Sequence, residues 1–245
     1  MNSHAIKIHI DSSQMLWTID NPWNTRLIIL VPWFTGNSNW PWDIFVKLSE
    51  KLQKLDYSVL RFDFRGTPPS EWKFNNMTVA SETEDLNTII KYAERLWYTD
   101  ISLLWESMGG TIIMNSYTKS IKSMIFWYAA FDFSDTDFKD FLTPEKQQEP
   151  QENWHIMCEG FQVWRKFIEQ IPEINIYENL KNISCPTLLL HWDQDKDVPF
   201  EQSQKSYDLL STKKEIHILP WAGHCFRNEQ EEAISLTVKF LKKCF

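Results

Sequence analysis

Glycine is nearly missing. The chain of 245 residues holds 6 glycines, where an average usage of about 7% would supply roughly 17. Tryptophan, ordinarily among the rarest residues, occurs 13 times, so the excess of one nearly fills the deficit of the other. Cysteine is also sparse. Cys158, Cys185, Cys225 and Cys244 lie far apart with no CxxC pair, which argues against a disulfide or zinc framework and reads as reduced thiols. No apolar run approaches the roughly 18 to 20 residues of a membrane span. Positive charge is in short supply: 25 Lys and Arg against 33 Asp and Glu leave a net charge of −8. Neither nucleic acid nor an anionic membrane is therefore an expected partner. The first residues, MNSHAIKIHIDSSQ, lack the layout of a signal peptide, and a cytoplasmic location is expected.

What is present is a rhythm. Short apolar or β-branched runs at 27–31, 58–62, 101–104, 124–128, 187–191 and 215–219 read as strands buried on both faces. Helical patterns occupy 43–54, 79–96, 108–117, 201–210 and 229–242 between them. This alternation predicts an α/β fold: a mostly parallel twisted sheet with helices on both faces. The leading segment AIKIHIDSSQMLWTID alternates, turns and alternates again, as an antiparallel hairpin would. The whole chain, 1–245, reads as one domain. Only 134–181 breaks the pattern, with an exposed bend at EKQQEPQEN flanked by Phe138, Phe141, Trp154, Met157, Phe161, Trp164 and Phe167. An insertion of that size predicts a small helical cap over a site. Its aromatics either pack the cap onto the core or also line a pocket.

Three motifs carry chemistry. ISLLWESMGGTIIM runs strand, turn, helix with Ser107 at the turn, where a nucleophile would project above the sheet edge and a helix N-terminus would face a developing oxyanion. PTLLLHWDQDKDVP is a strand ending in three aspartates, Asp193, Asp195 and Asp197; EIHILPWAGHCF is a strand ending in a Gly-His turn at His224. In the order Ser107, Asp195, His224 the imidazole would take the serine proton while the carboxylate orients it. The D-x-D-x-D spacing also starts a calcium loop, but Val198 stands where that loop needs glycine and Gln204 where it needs glutamate. His191 and His217, at and within strands, read as packed residues rather than bases.

Together these segments resemble the α/β-hydrolases, and more narrowly the bacterial cinnamoyl (feruloyl) esterases among the serine-aminopeptidase-like hydrolases. The resemblance covers almost the whole chain apart from the cap. PWFTGN at 32–37 resembles an HGFTG oxyanion loop, and RFDFRGTPPSEWKFNNMT at 61–78 resembles an RFDF-G-G-S-GKF-NMT block. WESMGG, HWDQDKDVP and WAGHCF match the nucleophile, acid and base motifs. The resemblance implies Ser107 as nucleophile, Asp195 as acid and His224 as base, with the backbone N–H groups of Phe34 and Met108 as the oxyanion hole. It implies hydrolysis of small or aromatic acyl esters through an acyl-enzyme, without cofactor or metal, by a monomer or homodimer. Trp33, Trp154, Phe161 and Trp164 are the candidate pocket residues. A thioesterase or acyltransferase would use the same triad.

The departures share one form. Pro32 replaces a histidine and Pro68 a glycine, but five other expected glycines are tryptophan: Trp33, Trp72, Trp105, Trp192 and Trp221. Trp17, Trp23 and Trp97 also occupy plausible turn glycines, while Trp40, Trp42, Trp127, Trp154 and Trp164 are undecided. Such glycines supply unusual dihedrals or close backbone approach. Two readings stand: a gene in which UGA encodes glycine, read here with UGA as tryptophan, or divergence towards a Trp-rich binding protein without activity.

Overall fold

Each of the six apolar runs becomes a strand, and the alternation of their side chains explains the layers. The computed structural model describes residues 3–10, 13–39, 42–136, 155–158, 160–225 and 229–244. In β3 (Arg26–Val31), Leu27, Ile29 and Val31 enter one core while Ile28 and Leu30 enter the other. Burying such a side chain is worth about 1.5–3 kcal/mol, so a strand that does so on both faces belongs at the centre of a sheet. The leading hairpin is β1 (Ser3–Ile10) and β2 (Ser13–Asp20), and β4 (Tyr57–Phe62), β5 (Asp100–Glu106) and β6 (Ile121–Trp127) follow. The sheet closes with β9 (Thr187–Trp192) and β10 (Lys214–Leu219), in the order β1-β2-β4-β3-β5-β6-β9-β10. Only the β1·β2 and β2·β4 pairings are antiparallel; the others run parallel.

Helices cover both faces. α2 (Val79–Arg95) and α3 (Gly109–Ser116) bury Leu86, Ile89, Ile90, Ile112 and Ile113 in the first core. α1 (Ile44–Gln53) and the C-terminal helix (Gln230–Cys244) bury Phe45, Leu48, Ile234 and Phe240 in the second. Thr78 caps α2 in a reciprocal box with Ser81, an arrangement whose loss typically costs about 1 kcal/mol. The chain leaves β3 for β4 on one side and returns to β5 on the other, so the strand order reverses at β3. In open parallel sheets the crevice beyond the carboxyl ends at such a reversal is where ligands bind.

From 155 on, the described part of the insertion opens with strands rather than the helix that the aromatic spacing predicts. Among the described residues it holds an antiparallel hairpin, β7 (His155–Cys158) with β8 (Phe161–Trp164), followed by the one-turn α4 (Arg165–Ile168) and short 3₁₀ turns at Ile171–Glu173 and Tyr177–Asn182. Gly160, at φ 86°, supplies the left-handed residue of the tight turn. Val163 is buried between exposed Gln162 and Trp164, the period of a strand. The expectations for Phe138, Phe141 and Trp154 lie outside the described residues. Trp17 is a second correction: it lies within β2, not at a turn, fully buried edge-on to Tyr92 at 5.3 Å.

Candidate active site

Ser107, Asp195 and His224 come together at the carboxyl edge of the sheet, although 117 residues separate the first from the last. Ser107 follows β5 directly and precedes α3. Its φ of 50° is left-handed, a conformation costing a non-glycine residue about 1–2 kcal/mol, and hydrogen bonds hold it there. Its N–H donates to Trp127 O at 3.1 Å, and its carbonyl accepts from Ala130 N at 3.0 Å. The sharp turn leaves the hydroxyl at the sheet edge, 2.9 Å from His224 Nε2. His224 Nδ1 lies 2.8 Å from Asp195 Oδ2. A hydroxyl, imidazole and carboxylate joined in this series allow the hydroxyl proton to pass to the ring while the carboxylate stabilises the imidazolium.

The loop after β9 explains why Asp195 is the aspartate that turns inward. Its Oδ1 accepts from the backbone N–H groups of Asp197 at 3.0 Å and Val198 at 2.9 Å. Asp193 instead accepts from Trp221 N at 2.8 Å and ties the two loops together. Burial pushes the Asp195 pKa up, but hydrogen bonds from His191 and His224 outweigh it, and the carboxyl stays well below the ordinary range. Asp195, Asp197 and His224 are also, among the described residues, the group whose ligand atoms lie close enough for a cation, within 4.8 Å of one another. Asp195 and His224 already spend their facing atoms on each other.

Phe34 and Met108, the expected oxyanion-hole residues, lie on the loop after β3 and at the start of α3. Met108 is the first residue after Ser107. A Cβ on Gly109 would lie 3.5 Å from Pro32 O, so the loop and the helix start are neighbours. The Phe34 ring stacks on Phe167 of the insertion at 5.2 Å, and Phe74 meets Phe161 at 4.3 Å. Phe161 thus packs the insertion onto the body. Trp164, also predicted for the pocket, is substantially exposed on β8; Trp154 lies outside the described residues. The Trp33 ring lies tilted against His224 at 5.8 Å. A separate cavity of about 390 Å³ between α2, α3 and 170–179 is lined by Thr111, Gln170 and Asn175 and by none of the three central residues.

Glu106 and Tyr128 escape sequence reasoning, and His191 reads from sequence only as packed. Glu106, the residue before Ser107, is fully buried, and burial pushes its carboxyl pKa well up despite the Tyr128 hydroxyl beside it. Tyr128 in turn meets the His224 ring edge-on at 4.7 Å. His191, read from sequence as packed, is fully buried but touches Asp195: its Nε2 is 3.2 Å from Oδ2. Nothing in a lone histidine at a strand end distinguishes these cases; only the loop that folds back over it does.

Residues 47–245 match the model of the prolyl oligopeptidase family, and the chain belongs to that family of α/β-hydrolases. Among curated proteins it is 26% identical over 181 residues to the lysophosphatidylserine lipase ABHD12 of Danio rerio, a match covering 70% of this chain and 44% of that protein. It is 24% identical to the serine hydrolase BPHL of Mus musculus, covering 80% of this chain and 72% of that one. The chain thus spans less than half the length of the fish lipase. Est1E from Butyrivibrio proteoclasticus, solved with ferulic acid bound, superposes with a TM-score of 0.85 over 98% of both chains at 22% identity. The Pyrococcus furiosus esterase Pf2001 does so with a TM-score of 0.74, over 99% of this chain and 90% of that one, at 20% identity. These likenesses establish the fold. Among the described residues no helix is long and apolar enough to cross a membrane.

Proposed function

We propose that the protein is a serine carboxylic-ester hydrolase that forms an acyl-enzyme with a small or aromatic acyl ester. The observation that carries this reading is the unbroken series from Ser107 Oγ to His224 at 2.9 Å and on to Asp195 at 2.8 Å. Ser107 Oγ attacks the ester carbonyl as its proton moves to His224 Nε2. Asp195 holds the ring and the charge it gains. The N–H groups of Phe34 and Met108 receive the carbonyl oxygen as it becomes an oxyanion, a contribution typically of about 3–4 kcal/mol per donor. His224 then returns the proton to the leaving alcohol, and water repeats the sequence to release the acid. The preference for an aromatic acyl group draws on the Phe34, Phe74, Phe161 and Phe167 cluster that joins the loop after β3 to the insertion. A thioester or an acyl acceptor other than water would use the same groups.

A second reading, a binding protein without turnover, draws on the indoles at the site: Trp33 against His224, and Trp105 beneath the serine turn. A fluorophosphonate probe separates the two. Covalent labelling that disappears in Ser107→Ala, with hydrolysis of p-nitrophenyl acetate and methyl ferulate, is the expected result. No labelling of the folded wild-type chain supports the binder.

A further inference from the structure

The Asp195 carboxylate is contacted by two imidazoles, and the proposed mechanism uses one. His191 lies at the end of β9, four residues before Asp195, with no solvent exposure. Its Nε2 faces two acceptors, Val198 O at 2.9 Å and Asp195 Oδ2 at 3.2 Å. A ring nitrogen between a carbonyl and a carboxylate must carry a proton, so Nε2–H is a donor. Among the described residues, the partner of Nδ1 is the Ser203 hydroxyl, 2.7 Å away on α5 (Glu201–Leu209). Ser203 is itself fully buried on α5, so the tilt of the ring is held from the side opposite Asp195.

We propose that His191 is a positioning residue for the acid: an Nε2–H donor that fixes which way Asp195 Oδ2 points. The inference rests on the esterase reading of the site and adds a member to it. Oδ1 is anchored by two backbone N–H groups, but both come from the two or three residues that follow Asp195. That local turn leaves the carboxylate free to rock about its own axis. Among the described residues, the contact that anchors Oδ2 besides His224 itself is His191. Without it, Oδ2 and His224 can swing together away from Ser107. Positional errors of about 1 Å in such groups cost on the order of a hundredfold in rate. The charged and titratable groups around the pair are Asp195 and Asp197 on the β9 loop, Tyr128 and Glu106 on the neighbouring strand ends, and Cys225 beside His224.

The experiment uses the full chain with His191→Leu, His191→Gln and Asp195→Ala, alone and combined. His191→Leu keeps bulk and removes the donor; its kcat should fall about ten- to hundredfold with KM unchanged. His191→Gln places an N–H₂ where Nε2 stood and should recover kcat to within about threefold of wild type. In the Asp195→Ala background His191→Leu should cost no further activity, because a residue acting through Asp195 has nothing left to act on. Equal losses in both backgrounds would mean a structural role and overturn the proposal, as would a wild-type kcat in a folded His191→Leu. The downfield imidazole N–H resonance of His224 gives a readout independent of turnover: it should broaden or move upfield in His191→Leu and persist in His191→Gln. An unchanged resonance in His191→Leu also overturns the proposal. Failure of the esterase reading looks different: no fluorophosphonate labelling of wild type, with that resonance still sensitive to His191.

Discussion

The two halves of the site are built to different standards. On the Asp195–His224 side the facing atoms have partners: Asp195 is held by Asp197, Val198, His191 and His224, and His191 by Ser203 and Val198. On the Ser107 side, Trp105 sits fully buried two residues before Ser107, and its indole N–H has no hydrogen-bond partner among the described residues. Its ring centroid is 3.5 Å from that of Phe126 at an interplanar angle of 69°, well inside the 4.5–7 Å of ordinary aromatic pairs. α3 crosses directly above, close enough that a Cβ on Gly110 would come 2.9 Å from Trp105 Nε1. A Cβ on Gly36 would likewise run into the Trp33 indole. The difference teaches where each glycine of the family pattern mattered. At 33 and 105 the missing commodity is space. At Trp72 (φ 104°) and Trp221 (φ 71°) it is a left-handed backbone that L-residues adopt at a cost of about 1–2 kcal/mol.

The comparison can be broken from either side. The largest effect is expected on the satisfied half: Asp195→Asn should lower kcat by about 10⁴-fold, because the amide selects the wrong His224 tautomer. Steady-state kinetics on p-nitrophenyl acetate, with labelling of Ser107 retained at a reduced rate, checks this. On the crowded half the sign reverses. Trp105→Gly should raise kcat/KM at least tenfold and raise Tm, since relief of overpacking is typically worth about 1–3 kcal/mol. A Trp105 that truly belongs there predicts the opposite, a loss of about 3–5 kcal/mol on truncating a core aromatic, so the melting curve alone decides. The codons decide independently: the reassigned-codon reading requires UGA at 33, 72, 105, 192 and 221, and UGG there ends it.

Smaller effects follow at the surface turns. Trp72→Gly and Trp221→Gly should each stabilise by about 1–2 kcal/mol through backbone relief; for Trp221, mostly exposed, little packing is lost in exchange. Trp72 packs on the Arg65 guanidinium at 5.1 Å, so its net gain should be the lower of the two. The smallest effect concerns pH. Asp195 has its pKa depressed by folding, so its contribution to stability is present above its unfolded pKa of about 4 and is lost as pH falls towards the folded value. The Tm gap between wild type and Asp195→Asn should therefore narrow between pH 6 and pH 3. A gap that widens on acidification would mean that Asp195 is not ionised in the native protein.

Much of this was legible in the residues. The six central strands, five of the helices and the leading hairpin follow from hydrophobic period, because strands buried on both faces and amphipathic helices leave patterns within a dozen residues. Ser107, Asp195 and His224 were legible as candidates because each ends a strand in a motif of its own, and parallel strands in one sheet present their ends on one edge. The β7–β8 hairpin was not, because its aromatics fit a helical stripe as well as an alternating strand, and Gly160 is a single short signal. Which aspartate faces His224, that His191 touches Asp195, and how tightly α3 passes over Trp105 depend on how the turns after β9 and β5 close and on what packs over them. No local period encodes them, and the tertiary structure alone decided them.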